Sequence, residues 1–212
     1  MSSYSLPNQS ITNIVGYLPN SSLIGSYTAI DSNNSLTRTY TYDSLQRVTS
    51  VSTQLNDGGT LQESYTYVSN GTRTSSLVSS HTVGNTAYIY LYDALGNITR
   101  IYEEGVLRRA YTYDSLGQLI SETVYPATGS AQQYQYTYDK SGNVTNVQYI
   151  SGSTTQNKTY TYGNSTWGDL LTNYNGTAIT YDAIGNPTKW RNAVAIEWYG
   201  RQMSLFAHAD GW

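Results

Sequence analysis

An all-β fold, an antiparallel ribbon of β-hairpin repeats curling into an arc or spiral, is predicted by this 212-residue sequence. Three observations carry the prediction. A Tyr-x-Tyr-Asp-x-x-Gly motif recurs along the chain, the tyrosines inside each copy keep the same parity, and no window shows the periodicity of a helix.

The clearest copies are YTYDSLG from Tyr111 and YTYDKSG from Tyr136, joined by LYDALG from Leu91 and TYDAIG from Thr180. Degenerate copies fill the gaps. YTYDSLQ from Tyr40 has Gln46 in the glycine slot, whereas YTYVSNG from Tyr65 and YTYGNS from Tyr160 carry Val68 and Gly163 in the aspartate slot. That slot falls at residues 43, 68, 93, 114, 139, 163 and 182, so successive copies lie 25, 25, 21, 25, 24 and 19 residues apart. A period of this size means one supersecondary unit per repeat, stacked on its neighbours. The chain is therefore read as a single array over residues 1–212. Residues 1–39 form a degenerate N-terminal repeat or cap, 40–190 about seven hairpin repeats, and 191–212 a C-terminal strand or tail.

Within a copy, each strand follows from the tyrosine spacing. Successive strand residues point to opposite faces, so Tyr40 with Tyr42, Tyr65 with Tyr67, Tyr111 with Tyr113 and Tyr160 with Tyr162 each share one face. Tyr88, Tyr90 and Tyr92 extend the row in one repeat, Tyr134, Tyr136 and Tyr138 in another, and Tyr181 stands alone in the last. The intervening Thr41, Thr66, Thr112, Thr137 and Thr161 suit the opposite, exposed face. A four-residue turn follows. Asp43, Asp93, Asp114, Asp139 and Asp182 begin it as acceptors for nearby backbone N–H groups, and Gly96, Gly117, Gly142 and Gly185 close it where φ is positive. This is a type I turn ended by a left-handed glycine, a common hairpin connection. Second strands leave over residues 97–102 and 143–150, and turns at 103–105 and 151–153 bring the chain back. The repeats together predict roughly fourteen strands.

Composition narrows the function. Only 12% of residues are charged and the net charge is −3, which argues against a nucleic-acid partner or an anionic membrane surface. Cysteine is absent, excluding disulfides and thiolate metal sites, and no apolar run reaches the length of a membrane span. The opening residues show no charged stretch followed by an apolar run, so no signal peptide is expected within these residues. The expectation is an excised piece of a longer exported or cell-surface protein.

The chemistry-bearing residues do not assemble into a site. The motif aspartates lie one repeat apart, ~10 Å in a stacked ribbon, too far to share a calcium ion. His81 and His208 form no metal-ligand pattern, and the many Ser and Thr residues have no marked base. The expectation is no enzyme, no metal and no cofactor. The tyrosine rows admit two readings: a ring ladder stacked from hairpin to hairpin, each pair adding ~0.2–1 kcal/mol, or an aromatic platform for glycans. Asn-x-Thr sequons such as those at 70–72, 97–99 and 143–145 arise from the repeat itself.

The Tyr-x-Tyr-Asp-x-x-Gly-Asn motif over Tyr40 to Met203 resembles the YD repeat of Rhs proteins, of the C components of insecticidal toxin complexes and of teneurins. The stretch from Trp167-Gly168-Asp169 through Tyr181 to Asn186-Pro187, followed by Trp198-Tyr199-Gly200-Arg201-Gln202, looks most like Gram-positive wall-associated or secreted Rhs-type proteins. The resemblance implies a long hairpin ribbon spiralling into a hollow β-shell that encloses a C-terminal effector. An autoprotease motif of the Asp-Pro-x-Gly type, which the family's toxin members carry, does not occur here. The expected function is a structural segment of such a shell wall, whose partners are the other repeats or the effector of the parent chain. The alternatives are a glycan-binding adhesion module and a self-assembling, homo-oligomeric repeat segment.

Overall fold

The computed structural model describes residues 2–5, 11–31, 33–69, 71, 73–190 and 193–208, and the regular structure among them is entirely β. Asn70 and Thr72 of the first sequon and Trp212 lie outside the described residues, as does the side chain of His208. The chain folds into two compact units, residues 1–108 and 109–212.

In the first unit, nine strands follow one another as an antiparallel meander: β1 (Ser2–Ser5), β2 (Thr12–Tyr17), β3 (Ile24–Ile30), β4 (Ser35–Tyr42), β5 (Val48–Leu55), β6 (Thr60–Ser69), β7 (Thr74–Val83), β8 (Thr86–Tyr92) and β9 (Ile98–Glu103). The second unit holds most of β10 (Val106–Tyr113), then β11 (Leu119–Val124), β12 (Gln132–Tyr138), β13 (Val144–Ser151), β14 (Thr154–Thr161), β15 (Asn173–Tyr174) and β16 (Thr177–Ala178), again paired in order. Two further hairpins complete it. They are β17 (Thr180–Tyr181) with β18 (Pro187–Lys189), and β19 (Ala193–Tyr199) with β20 (Gln202–His208).

The hairpins share one irregularity. The register slips immediately before the tyrosine of each Tyr-Asp pair, between Thr41 and Tyr42, Leu91 and Tyr92, Thr112 and Tyr113, Thr137 and Tyr138, and Thr180 and Tyr181. This is the bulge that a type I turn plus one left-handed residue imposes on a hairpin. Gly96, Gly142 and Gly185 supply that residue with φ of 88°, 87° and 87°, and Gln46 adopts it at 63° without being glycine. Gly185 is doubly constrained, because an added Cβ would stand 2.6 Å from two ring carbons of Trp167.

The strands extend beyond the roughly fourteen that the repeats alone predict, because the flanking segments pair as well. Residues 12–30 form a hairpin that slips register between Gly16 and Tyr17, the same position as in the motif copies. Two slots depart from the pattern. Past Val68, the hydroxyl of Ser69 takes the acceptor role and receives the N–H of Gly71 at 3.1 Å. At Gly163 the hairpin turn gives way to a loop, where Asn164 Oδ1 accepts the N–H groups of Thr166 and Trp167 at 3.0 and 2.9 Å.

Burial is shallow. Among the described residues, Val51 and Ile179 at 5% exposure are the deeply buried apolar side chains, and no large side chain is fully enclosed. The motif tyrosines are half-buried, while Thr41, Thr66, Thr112, Thr137 and Thr161 are exposed, as strand alternation requires. With so little core, stability falls to cross-strand pairs and hydrogen bonds.

Candidate functional site

The recurrent feature is the turn together with the tyrosine before it. At each Tyr-Asp-x-x-Gly copy one carboxylate oxygen, Oδ1, receives two backbone N–H groups. For Asp93 they are Leu95 and Asn97, both at 2.9 Å; for Asp114, Leu116 and Gln118 at 2.9 Å; for Asp139, Ser141 and Asn143 at 2.9 Å; for Asp182, Ile184 at 3.0 and Asn186 at 2.9 Å. Asp43 does the same with Leu45 and Arg47. The second oxygen holds the side chain four residues on, which is Asn97 at 3.0 Å, Asn143 at 3.0 Å, Asn186 at 2.8 Å and the Arg47 guanidinium at 2.6–2.7 Å. These bonds favour the charged form. The Arg47 side chain, the Asn97 amide, the Asn143 amide and the Asn186 backbone N–H are the leading causes that hold Asp43, Asp93, Asp139 and Asp182, respectively, below the usual carboxylate range.

The tyrosine preceding the aspartate reaches in the other direction, to the previous repeat. Its hydroxyl donates to a backbone carbonyl: Tyr42 to Ile24, Tyr67 to Val48 and Tyr92 to Val78, each at 2.7 Å. In the second unit Tyr138 donates to Leu119 at 2.7 Å, Tyr162 to Val144 at 3.0 Å and Tyr181 to Leu171 at 2.6 Å. The acceptors are not arbitrary. Ile24, Val48, Val78, Leu119 and Val144 are the residues paired with Tyr17, Tyr42, Tyr67, Tyr113 and Tyr138, the bulge positions of the preceding hairpins. In these five cases the turn irregularity of one repeat presents the carbonyl that the next repeat's tyrosine takes. Burial raises the phenols of Tyr42, Tyr92, Tyr138, Tyr162 and Tyr181 above their ordinary value, keeping them neutral donors.

The earlier tyrosine of each copy packs sideways instead. Tyr40 faces Val51, Tyr90 faces Ile101 and Tyr136 faces Val147 across the hairpin, while Tyr65 faces His81, Tyr111 faces Glu122 and Tyr160 faces Tyr174. Of the two readings of the tyrosine rows, the ladder takes a modified form: motif rings meet neighbours on adjacent strands, and His81 carries the Tyr65 stack on to Tyr88 of the following hairpin at 6.4 Å. Ring contacts join Tyr65 to His81 (4.3 Å), Tyr134 to Tyr149 (5.1 Å) and Tyr160 to Tyr174 (5.2 Å), all neighbours on adjacent strands. Equivalent tyrosines of successive repeats are two strand spacings apart, ~10 Å, too far for ring contact.

Two polar clusters on this face were not legible from spacing. Glu63 receives Arg38 at 2.8 Å and the Tyr65 hydroxyl at 2.9 Å and lies 3.3 Å from His81 Nε2, with the His81 ring stacked on Tyr65. Burial would raise the Glu63 carboxyl, but the bonds from Tyr65, His81 and Arg38 outweigh it and leave the group lowered. Tyr65 is pushed up to about 12, by burial first and the Glu63 carboxylate second. Arg47, besides holding Asp43, bonds Thr74 Oγ1 at 2.7 Å and the Ser75 carbonyl and lies 4.1 Å over the Tyr67 ring. The shared parity of Glu63 and Tyr65 was the available hint. In the second unit, Pro187, Trp190, Ile196, Trp198, Met203 and Phe206 line an open apolar cavity of about 360 Å³, and Trp198 Nε1 donates to the Pro187 carbonyl at 2.9 Å.

These groups hold a fold together, and their chemistry is that of positioning. The motif carboxylates and the Glu63 cluster bond to other groups of the chain. Among the described residues no three His, Asp or Glu side chains converge as a metal cage. The turn role gives a direct test at Asp114, whose Oδ1 accepts the N–H groups of Leu116 and Gln118. Asp114→Asn keeps that acceptor and should be mild, whereas Asp114→Ala should cost on the order of 1 kcal/mol. Thermal melts with and without calcium check it; a large calcium-dependent shift in the parent protein would make the carboxylates ligands.

A meander of hairpins with a bulged Tyr-Asp turn at each repeat places the chain among β-hairpin repeat proteins. Residues 92–131 match the model of the RHS repeat family. The matched stretch spans the Asp93 and Asp114 turns, so the family pattern falls on two of the bulged hairpins described above. Among solved structures it resembles the crystal structure of TcdB2-TccC3-Cdc42, with a TM-score of 0.49 and 16% identity over 84% of this chain and 12% of that one. It also resembles a Photorhabdus luminescens Tc holotoxin pore carrying a mutated TccC3, with a TM-score of 0.47 and 16% identity over 87% of this chain and 12% of that one. The chain thus spans about an eighth of the length of either. No curated protein matches it.

Proposed function

We propose that this chain is a structural wall segment: a run of RHS-type hairpins forming part of the β-shell of a longer, exported protein, in which it encloses or displays other domains. The observation that carries the reading is the tyrosine tether: within each unit, Tyr67, Tyr92, Tyr138 and Tyr162 fasten their repeats to the preceding one by a hydroxyl-to-carbonyl bond, so the motif's most distinctive residue serves architecture. The chain is proposed to be no enzyme and to need no cofactor. Its partners are other repeats and an effector or display domain of the same parent chain. Exposed apolar residues at the turn tips, Leu45, Leu95, Leu116 and Ile184, offer contact points for such partners or for a second copy.

Modularity is the test. Deleting residues 119–143 removes one repeat and joins Gln118 to Val144, so Tyr113 would face Val144 and Tyr162 would still find its carbonyl. A wall of interchangeable hairpins should remain a folded, cooperatively melting β protein of reduced stability. An unfolded product would contradict the reading, and so would retention of the intact chain on immobilised polysaccharide or turnover of ester, peptide or glycoside substrates.

A further inference from the structure

The chain is rich in tyrosine, with 23 residues, and holds no cysteine, so any covalent staple between its strands must use another side chain. Tyr134 on β12 and Tyr149 on β13 are direct cross-strand partners on one face, with ring centroids 5.1 Å apart and planes inclined at 45°. Both are half-buried, so solvent reaches them while the strands hold them in place. Tyr160 and Tyr174 are as close at 5.2 Å but meet edge to face at 66°, which sets the edge of one ring against the π-face of the other rather than edge beside edge.

We propose that Tyr134 and Tyr149 form a dityrosine site, a position where one-electron oxidants of the peroxidase and hydrogen peroxide class cross-link β12 to β13 within the chain. Each phenol gives up one electron and one proton to become a phenoxyl radical. The two radicals couple through ring carbons ortho to their oxygens, and each coupled ring carbon then loses its hydrogen to the adjacent oxygen, restoring both aromatic rings and both hydroxyls. The net loss is two electrons and two protons, which reduce one hydrogen peroxide to two waters. The strand register performs the step that is slow in solution, bringing two short-lived radicals to contact. The product closes the hairpin and raises its thermal stability as a disulfide would, by restricting the unfolded chain.

The experiment treats the intact protein with peroxidase and limiting hydrogen peroxide, dilute enough to suppress links between molecules, and isolates the monomer. Trypsin cuts after Arg109, Lys140 and Lys158, so the link would join the peptide of residues 110–140 to that of 141–158, in which Tyr149 is the only tyrosine. The expected result is that joined species, lighter than its two parts by two hydrogen atoms, with fragmentation placing the bond at Tyr134. Tyr134→Phe and Tyr149→Phe should each abolish it. Tyr136→Phe, which removes a hydroxyl two residues along the same strand, should leave it intact. A joined peptide that persists in Tyr134→Phe, a bond mapped to Tyr136 or Tyr138, or dityrosine found only between molecules would overturn the proposal. Circular dichroism of each variant before oxidation separates loss of the link from loss of the fold.

Discussion

Raising the pH through about 10 and beyond should unfold this protein cooperatively, because its repeats are fastened by neutral phenols. Burial lifts Tyr42, Tyr65, Tyr90, Tyr92, Tyr136, Tyr138, Tyr162 and Tyr181 above their ordinary value, Tyr65 to about 12. A group whose folded value exceeds its unfolded value contributes stability fully present below the unfolded value and lost as the pH rises through the folded one. The window therefore opens near 10, and several tyrosines act within it. A phenolate also repels the carbonyl to which the hydroxyl donated. Phenolate absorbance and far-ultraviolet circular dichroism, recorded together, should show ionisation delayed and then released in step with loss of β signal. Full ionisation at the ordinary tyrosine value with the fold intact would mean that the hydroxyls are free. The carboxylate turns work with the opposite sign: Asp43, Asp93, Asp139 and Asp182 stabilise above the unfolded carboxylate value, and that contribution goes as the pH falls through their depressed values.

The second large effect is expected from truncating the tethering tyrosine. Tyr138→Phe removes only the hydroxyl bond to Leu119 and should cost about 1 kcal/mol. Tyr138→Ala removes the ring as well, and even for a half-buried aromatic the loss should approach about 3 kcal/mol. Tyr136→Ala should behave similarly, through the lost packing on Val147 rather than a tether. Denaturant melts resolve all three. If the rings instead formed an open platform, the alanine variants would stay within about a kcal/mol of the parent, as exposed positions do, and would lose polysaccharide retention. That outcome would promote the glycan-binding reading over the wall.

The turns are where the sequence speaks most directly. Asp139, Gly142 and Asn143 lie within five residues of one another, and their bonds depend on local backbone geometry alone. Parity likewise assigns Tyr136 and Thr137 to opposite faces without reference to anything distant. Where a motif residue is missing, the local rule weakens: Ser69 replaces the absent aspartate at the Val68 slot by moving one position, and at Gly163 the hairpin turn is lost to a longer loop. The hairpin at Tyr17 escaped the motif because Leu18 and Pro19 stand where Asp and a turn residue would, although Asn20 still supplies a left-handed φ of 56°.

The sequence by itself determined the class of this protein: antiparallel hairpins, their turn type, their period and the face on which the tyrosines lie. These follow from interactions spanning a few residues, which a motif records. Only the tertiary structure decided what the tyrosines do. Tyr67 finds Val48 and Tyr138 finds Leu119, each 19 residues away, and Arg38 finds Glu63 across 25. Such partners are set by strand register and by a bulge that turns one carbonyl outward. The residue offering that carbonyl is Val in one repeat and Leu or Ile in another, so it leaves no signature, because a backbone oxygen is the same whatever side chain it carries.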